Sequence, residues 1–259
     1  VVAGAEYAVF GVDDTYSADI AADVLGGGRD GTTISGRAAG TGVFVDAGRI
    51  IARSQAGGPG REIARLDGIG SLRGAHNGQN AAAAAAVAER LGLAPSEIQA
   101  GLTSFPGLAH RMEEIGHLGR VVFINDSKAT NAASAETALA SFAGGVYWIA
   151  GGRAKAGGIA PLEPYFDRIE KVYLVGEAAA DFAATLDGRV PFEFSEELAT
   201  AVAHAARDAA RSSAAEPVVL LSPACASFDQ FRSFEARGEA FRELVVALDG
   251  IVVRSGGTK

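Results

Sequence analysis

From residue 107 onward the chain repeats one pattern: a short run of branched and aromatic residues, then a stretch rich in helix formers. The runs lie at 121–124, 146–150, 171–175, 190–194 and 218–221. The helix-forming stretches include 132–142, 178–186, 196–211 and an amphipathic 234–248. Apolar runs of four or five residues without internal alternation suit strands buried on both faces. Alternation of such strands with helices leaves few solutions, and a mostly parallel, doubly wound α/β sheet is the expected one.

Residues 1–106 carry a weaker version of the pattern. A strand is expected at 7–12, and Asp46-Ala47-Gly48 reads as the turn of a hairpin between 43–45 and 49–53. Residues 55–60 read as a Gly-rich loop. Helices are expected from His76 to Leu91, through the poly-alanine run 81–86, and from Pro95 to Ser104. This half shows no obvious complete sheet. Phe105-Pro106-Gly107 breaks both periodicities and is the expected domain boundary. Two domains, 1–106 and 107–250, would then precede a disordered tail at 251–259.

Several function classes fall away early. A net charge of −8 argues against a general binder of nucleic acid or of anionic membranes. No apolar run approaches the roughly 20 residues that span a bilayer. The single cysteine, Cys225, excludes a disulfide framework and fits a reducing cytoplasm. The lysines are Lys128, Lys155, Lys171 and Lys259, none after a glycine, so no G-x-x-x-x-G-K-S/T phosphate loop is present.

The chemistry concentrates where strands end. Asn125-Asp126-Ser127-Lys128-Ala129-Thr130-Asn131 follows the run 121–124 and opens a helix. Ligands of open α/β sheets bind outside the carboxyl ends of strands, and helix N-termini favour anions. Asp126 suits ribose hydroxyls there and Lys128 a phosphate or carboxylate; the same residues also fit a helix cap with a surface ion pair. Gly151-Gly152-Arg153-Ala154-Lys155 follows the next strand, and its cations suggest an anionic substrate or a plain surface loop. His110-Arg111 reads as phosphate- or adenine-directed, or as solvated hinge charges. Asn77 and Asn80 fit either helix capping or recognition of a purine edge. Cys225, with no histidine pairing legible, reads as a buried inert thiol.

Taken together, these segments resemble the Mur ligase family. His76-Asn77-x-x-Asn80, Gly107-Leu108-x-His110-Arg111-x-Glu113 and Asn125 to Asn131 follow in the family's order. The string Leu221-Ser222-Pro223-Ala224-Cys225-Ala226-Ser227-Phe228-Asp229-Gln230-Phe231 resembles the D-glutamate-adding branch, and the D-N-P-R motif of the diamino-acid-adding branch is absent. The resemblance implies a C-terminal Rossmann-like domain, preceded by the closing part of an α/β ATPase-type central domain. It implies an ATP- and Mg2+-dependent ligase of the bacterial cytoplasm, acting in peptidoglycan synthesis. That enzyme joins D-glutamate to UDP-N-acetylmuramoyl-L-alanine through an acyl phosphate.

By the same resemblance Asn77, Asn80, His110, Arg111 and Asp126 match nucleotide-binding positions. Lys128, Thr130, Lys155, Ser227 and Phe234 match the amino-acid pocket, and Lys128, His110 and Arg111 carry catalysis. The family's first domain, its phosphate loop and most phosphate and metal ligands have no counterpart in these residues. The expectation is therefore the C-terminal half of an enzyme, monomeric and inactive by itself. The competing expectation is a Rossmann-like module that binds a nucleotide or acidic metabolite without ligase activity.

Overall fold

Val121–Asn125, Val146–Gly151 and Val218–Leu221 are buried along their whole length, as strands covered on both faces must be. In the computed structural model, which describes residues 4–37, 40–54 and 57–254, they form the centre of a seven-stranded sheet. The chain divides into two compact units, Val1–Phe105 and Pro106–Lys259.

The second unit holds β6 (Glu113–Leu118), β7 (Val121–Asn125), β8 (Val146–Gly151), β9 (Ile169–Val175), β10 (Phe192–Glu196), β11 (Val218–Leu221) and β12 (Val252–Val253). Their order across the sheet is β10-β9-β8-β11-β7-β6-β12. The strands from β10 to β7 pair in parallel, while β6 and β12 pair antiparallel at one edge. The helices are α4 (Ala132–Ala140), α5 (Ala179–Leu186), α6 (Leu198–Ala209) and α7 (Phe234–Val246), with a 3-10 segment at Ala160–Arg168.

Two cores separate by strand parity. Val122, Ile124, Trp148, Val172 and Leu220 face one side, with Leu139 of α4 and Phe182 of α5. Phe123, Ile149, Tyr173, Val219 and Leu221 face the other, with Val202 of α6 and Phe241 of α7. Side chains of a strand alternate between faces, so continuous apolar runs feed both cores, and the doubly wound sheet is shown.

The first unit holds β1 (Ala8–Gly11), β2 (Gly31–Ser35), β3 (Gly42–Asp46), β4 (Arg49–Arg53) and β5 (Arg61–Arg65), ordered β1-β2-β3-β4-β5. Its helices are α1 (Thr15–Gly26), α2 (Ala75–Arg90) and α3 (Pro95–Ser104). The lack of a complete sheet expected for this half is corrected by these five strands. The hairpin stands as read, with Ala47 and Gly48 at φ 46° and 76°, the left-handed pair a two-residue turn requires. Ala82 and Ala85 of the poly-alanine run are fully buried against Ile34, Val43 and Ile50. Methyl side chains let the helix backbone approach the sheet closely.

Other boundaries differ from expectation. β10 starts two residues later than 190, because Pro191 offers no N–H while its carbonyl accepts from Val172. β6 went unread because Glu113-Glu114 and His117 alternate with small or apolar residues in a half-buried edge strand. Residues 251–254, expected within a disordered tail, instead carry β12, where Val252 and Val253 pair with His117 and Gly116. Residues 255–259 lie outside the described residues.

Candidate functional site

The parallel strands β7, β8 and β11 end at one edge of the sheet, and β11 sits between the other two. The turns leaving them are stitched together by backbone hydrogen bonds. Asp126 N–H donates to Leu221 O (2.7 Å), Gly151 N–H to Pro223 O (2.9 Å), and Arg153 and Ala226 exchange both N–H···O bonds. α4 leaves on one face and α7 on the other, so the chain diverges here and opens the crevice where such sheets bind ligands.

Asp126 lies at the centre and is buried. Oδ1 accepts from Met112 N–H (3.2 Å), and Oδ2 from Ser222 Oγ–H (2.9 Å). Burial pushes its carboxyl up to about 7; the Ser222 and Met112 donors and the Arg111 charge pull the other way without prevailing. The sequence places Asp126 towards ligand hydroxyls, whereas the structure already engages both oxygens inside the protein, leaving each further lone pairs. Ser222 is held in turn by its carbonyl, which accepts from Trp148 Nε1–H at 2.7 Å.

His110 is not a solvated hinge residue. It is 8% exposed, and its backbone takes a left-handed φ of 60°. Its ring lies against Gly238 of α7, where a Cβ would come within 2.3 Å of Nδ1. Asn125 Nδ2 lies 3.1 Å from His110 Nδ1, 3.0 Å from Gly238 O and 3.3 Å from Glu113 Oε2. An amide carries two protons, so it serves two of these acceptors at a time. Glu113 accepts from His110 N–H and pairs with Arg242 of α7. These contacts fasten the 108–113 turn to α7. Arg111 stays exposed.

Lys128 N–H donates to His110 O (3.0 Å), and its ammonium lies 4.0 Å from the Phe234 ring centroid. Phe234 meets the His110 ring edge-on at 6.5 Å. Lys128 is exposed and Phe234 half-buried, so the pair presents a cation on an aromatic platform at the mouth of the crevice. Ser227, buried in the β11 turn, accepts from Gln230 and Phe231 N–H through its carbonyl. Thr130 is half-buried just before α4, and Asn131 caps that helix by accepting from Ser134 N–H at 2.9 Å. Lys155 is exposed on the β8 loop, and its side chain makes no hydrogen bond or ion pair among the described residues. The structure thus brings His110, Asp126, Lys128, Ser227 and Phe234 to one strand edge and leaves Lys155 on a separate loop.

In the first unit, Asn77 Nδ2 donates to Arg73 O (2.9 Å), and Asn80 Nδ2 lies 3.4 Å from Asn77 Oδ1. The side chain of His76 lies outside the described residues. Between the two asparagines in sequence, Gln79 donates to Asp13 Oδ2 (2.9 Å), which also accepts from Gly36 N–H, while Oδ1 accepts from Ser35 Oγ. Sequence reasoning missed this polar cluster at the ends of β1 and β2, because β2 itself was not legible.

Arg237 was missed too. It is 2% exposed on α7, and its guanidinium reaches Ser127 and Cys225. The signal was present: a cation at a position in phase with Phe234, Phe241 and Val245, the apolar stripe of the helix. Cys225 is fully buried, and burial pushes its thiol up to about 12, with Arg237 opposing, so the inert reading fits.

No helix among the described residues is long and apolar enough to cross a membrane. None of their His, Cys, Asp and Glu side chains form a group of three that could hold a metal.

Comparison with known proteins adds the lineage. Residues 110–225 match the model of the Mur ligase glutamate ligase domain. The UDP-N-acetylmuramoylalanine–D-glutamate ligase of Brucella abortus is 54% identical over 259 residues, all of this chain and 55% of that protein. The ligase of the same name from Rhodopseudomonas palustris is 56% identical over 94% of this chain and 52% of its own length. The chain therefore spans about half the length of the curated relatives it matches. Among solved structures, the MurF ligase of Thermotoga maritima in complex with ADP aligns with a TM-score of 0.55 at 17% identity, over 92% of this chain and 52% of that one. A UDP-N-acetylmuramoylalanyl-D-glutamyl-2,6-diaminopimelate–D-alanyl-D-alanyl ligase from Acinetobacter baumannii aligns at 0.54 and 19% identity, over 92% of this chain and 50% of that one. These last two likenesses speak for the fold alone. With more than half the residues identical along its whole length and a match to the glutamate ligase domain over residues 110–225, the chain is similar to Mur ligases over the part of them that it spans.

Proposed function

We propose that the strand-edge site is the amino-acid-receiving part of an ATP-dependent ligase that adds D-glutamate to UDP-N-acetylmuramoyl-L-alanine in the bacterial cytoplasm. The observation that carries this is the exposed Lys128 ammonium on the Phe234 ring, in a chain so close to D-glutamate ligases. A dicarboxylic amino acid needs a cation and hydroxyl donors, and each charge-assisted hydrogen bond contributes about 1.5–3 kcal/mol.

In the proposed reaction ATP gives its γ-phosphoryl group to the terminal carboxylate of the muramoyl-alanine, releasing ADP. The amine of D-glutamate attacks the acyl carbon of that mixed anhydride. The tetrahedral intermediate expels phosphate, and the amine loses a proton as the amide forms. Lys128, with Thr130 and Ser227, holds the D-glutamate carboxylates so that the amine faces the acyl carbon. Positioning of this kind contributes much of the rate. Exposed Arg111 offers a planar donor to phosphate oxygens, and His110 supports the turn that presents it. Asp126 uses its remaining lone pairs towards the nucleotide, with Asn77 and Asn80 as amide donors. Lys155, exposed on the β8 loop, is assigned to the same pocket as a further cation. Magnesium supplies charge neutralisation on the phosphates when bound; no group of three metal-ligating side chains is formed by the described residues.

The test is product formation by the complete gene product from ATP, Mg2+, UDP-N-acetylmuramoyl-L-alanine and labelled glutamate. Incorporation of the D-enantiomer with stoichiometric ADP release is expected. Incorporation of L-glutamate alone, or of a diamino acid, contradicts the reading. Calorimetry on the 259-residue chain separates the module alternative, since tight NAD binding without D-glutamate binding favours it.

A further inference from the structure

Three segments assigned to D-glutamate, those of Lys128, Ser227 and Phe234, meet at one buried cation. Arg237 is 2% exposed on α7, one turn after Phe234. Nε donates to Ser127 Oγ (3.0 Å), and one terminal nitrogen donates to both Ser127 O (3.0 Å) and Cys225 O (3.0 Å). Ser127 immediately precedes Lys128, and Cys225 stands two residues before Ser227. The other terminal nitrogen, Nη1, is buried with no hydrogen-bond partner among the described residues. It lies 3.2 Å from where a Cβ on Gly152 would stand, at the root of the loop that carries Lys155. Among the described residues no carboxylate forms a salt bridge with Arg237.

A buried guanidinium without an ion-paired carboxylate, with Asp229 acting on it only through space, is costly to keep. An apolar side chain would fill the same place in the helix stripe more cheaply. The fork geometry supplies what an apolar residue lacks: donors at fixed angles that reach a hydroxyl and two carbonyls on different turns at once. Lysine, a single point of charge on a flexible stem, cannot span the three acceptors in the same way.

We infer that Arg237 is a positioning residue for D-glutamate. Resting on the functional reading above, it holds the Lys128, Ser227 and Phe234 segments at the spacing that the substrate carboxylates require. It does not touch the substrate.

Calorimetric titration of D-glutamate into the 259-residue chain tests this, comparing wild type with R237K, R237M and S127A. Each is measured well below its own melting midpoint, and the Trp148 indole resonance reports the fold of the strand edge. R237M and R237K are both expected to weaken binding by roughly tenfold or more, with the Trp148 resonance in place. S127A, which removes the Nε acceptor together with the hydroxyl's own bond to Phe234 O (2.8 Å) but leaves both carbonyl acceptors, should weaken it by a smaller factor. Wild-type affinity in R237K overturns the fork argument. Wild-type affinity in R237M overturns the inference altogether. Should R237M fail to fold, R237K and S127A decide: full affinity in both refutes it, and loss in both supports it. A wild-type chain that does not bind D-glutamate overturns this inference, while the functional reading stands or falls by D-glutamate incorporation in the complete gene product.

Discussion

The Lys128 ammonium stands 4.0 Å from the centroid of the Phe234 ring, joining the turn after β7 to the first residue of α7. A cation held over an aromatic face is attracted by the ring quadrupole, by about 0.5–1 kcal/mol at an exposed site. The contact fixes the lysine without neutralising it, as a carboxylate partner would. Lys128→Ala and Ser227→Ala should therefore raise KM for D-glutamate by roughly tenfold or more, while KM for UDP-N-acetylmuramoyl-L-alanine changes less. Steady-state kinetics on the full-length enzyme, varying each substrate in turn, makes the comparison. Equal losses for both substrates would contradict the assigned pocket.

Asp126 should make stability depend on pH in an unusual direction. Its folded carboxyl titrates near 7, above its unfolded value, so the folded state holds the proton more tightly. That contribution is fully present below about pH 4 and is lost as pH rises through about 7, by up to about 4 kcal/mol. Asp126→Asn keeps an acceptor for Met112 N–H and offers an amide to Ser222 Oγ, without the buried charge. Urea unfolding at pH 5 and pH 8 should show the variant gaining on wild type as pH rises. A constant difference between the two would count against a buried, unpaired carboxylate.

Gly238 is set by what lies against it. A methyl at this position would stand 2.3 Å from His110 Nδ1 and 2.6 Å from Cγ, closer than any real contact. Gly238→Ala should cost about 1–3 kcal/mol through overpacking. It should also displace the His110 ring from Asn125. Thermal unfolding reads the first effect, and the imidazole proton shifts of His110 read the second.

Trp148 offers a probe that needs no label. It is the single tryptophan of the chain, fully buried, and its indole N–H is bound to Ser222 O. Trp148→Phe leaves that carbonyl without its donor, at a cost of about 1–3 kcal/mol. In the wild type, ligand binding at the strand edge should shift the indole N–H resonance. An unmoved resonance at saturating ligand would place binding elsewhere.

The parallel core was legible because its central strands are buried on both faces, and the runs 121–124, 146–150 and 218–221 carry no charged residue to confuse the period. β2 and β6 were not, since Thr32 and Thr33 in the one and Glu113, Glu114 and His117 in the other belong to half-buried strands. Of the site, Lys128 and Asp126 could be found from their place after a strand. That Asp126 turns inward could not, because its partners Met112 and Ser222 come from 14 residues before it and 96 after it. Arg237 was missed differently: its place in the apolar stripe of α7 was a signal of burial, but its acceptors on Ser127 and Cys225 could not be named from the sequence.

The order in which the sheet can be assembled follows from the place of β11. β7 and β8 are successive in sequence but never neighbours in space, because β11 lies between them. Both strands must wait with an unpaired edge until residues 218–221 exist. Late closure of a long loop is slow, and unpaired edges invite wrong partners. During synthesis the ligand-binding edge would be completed only as α7 emerges, so a nascent chain stopped before residue 218 should be aggregation-prone and unable to bind ligand.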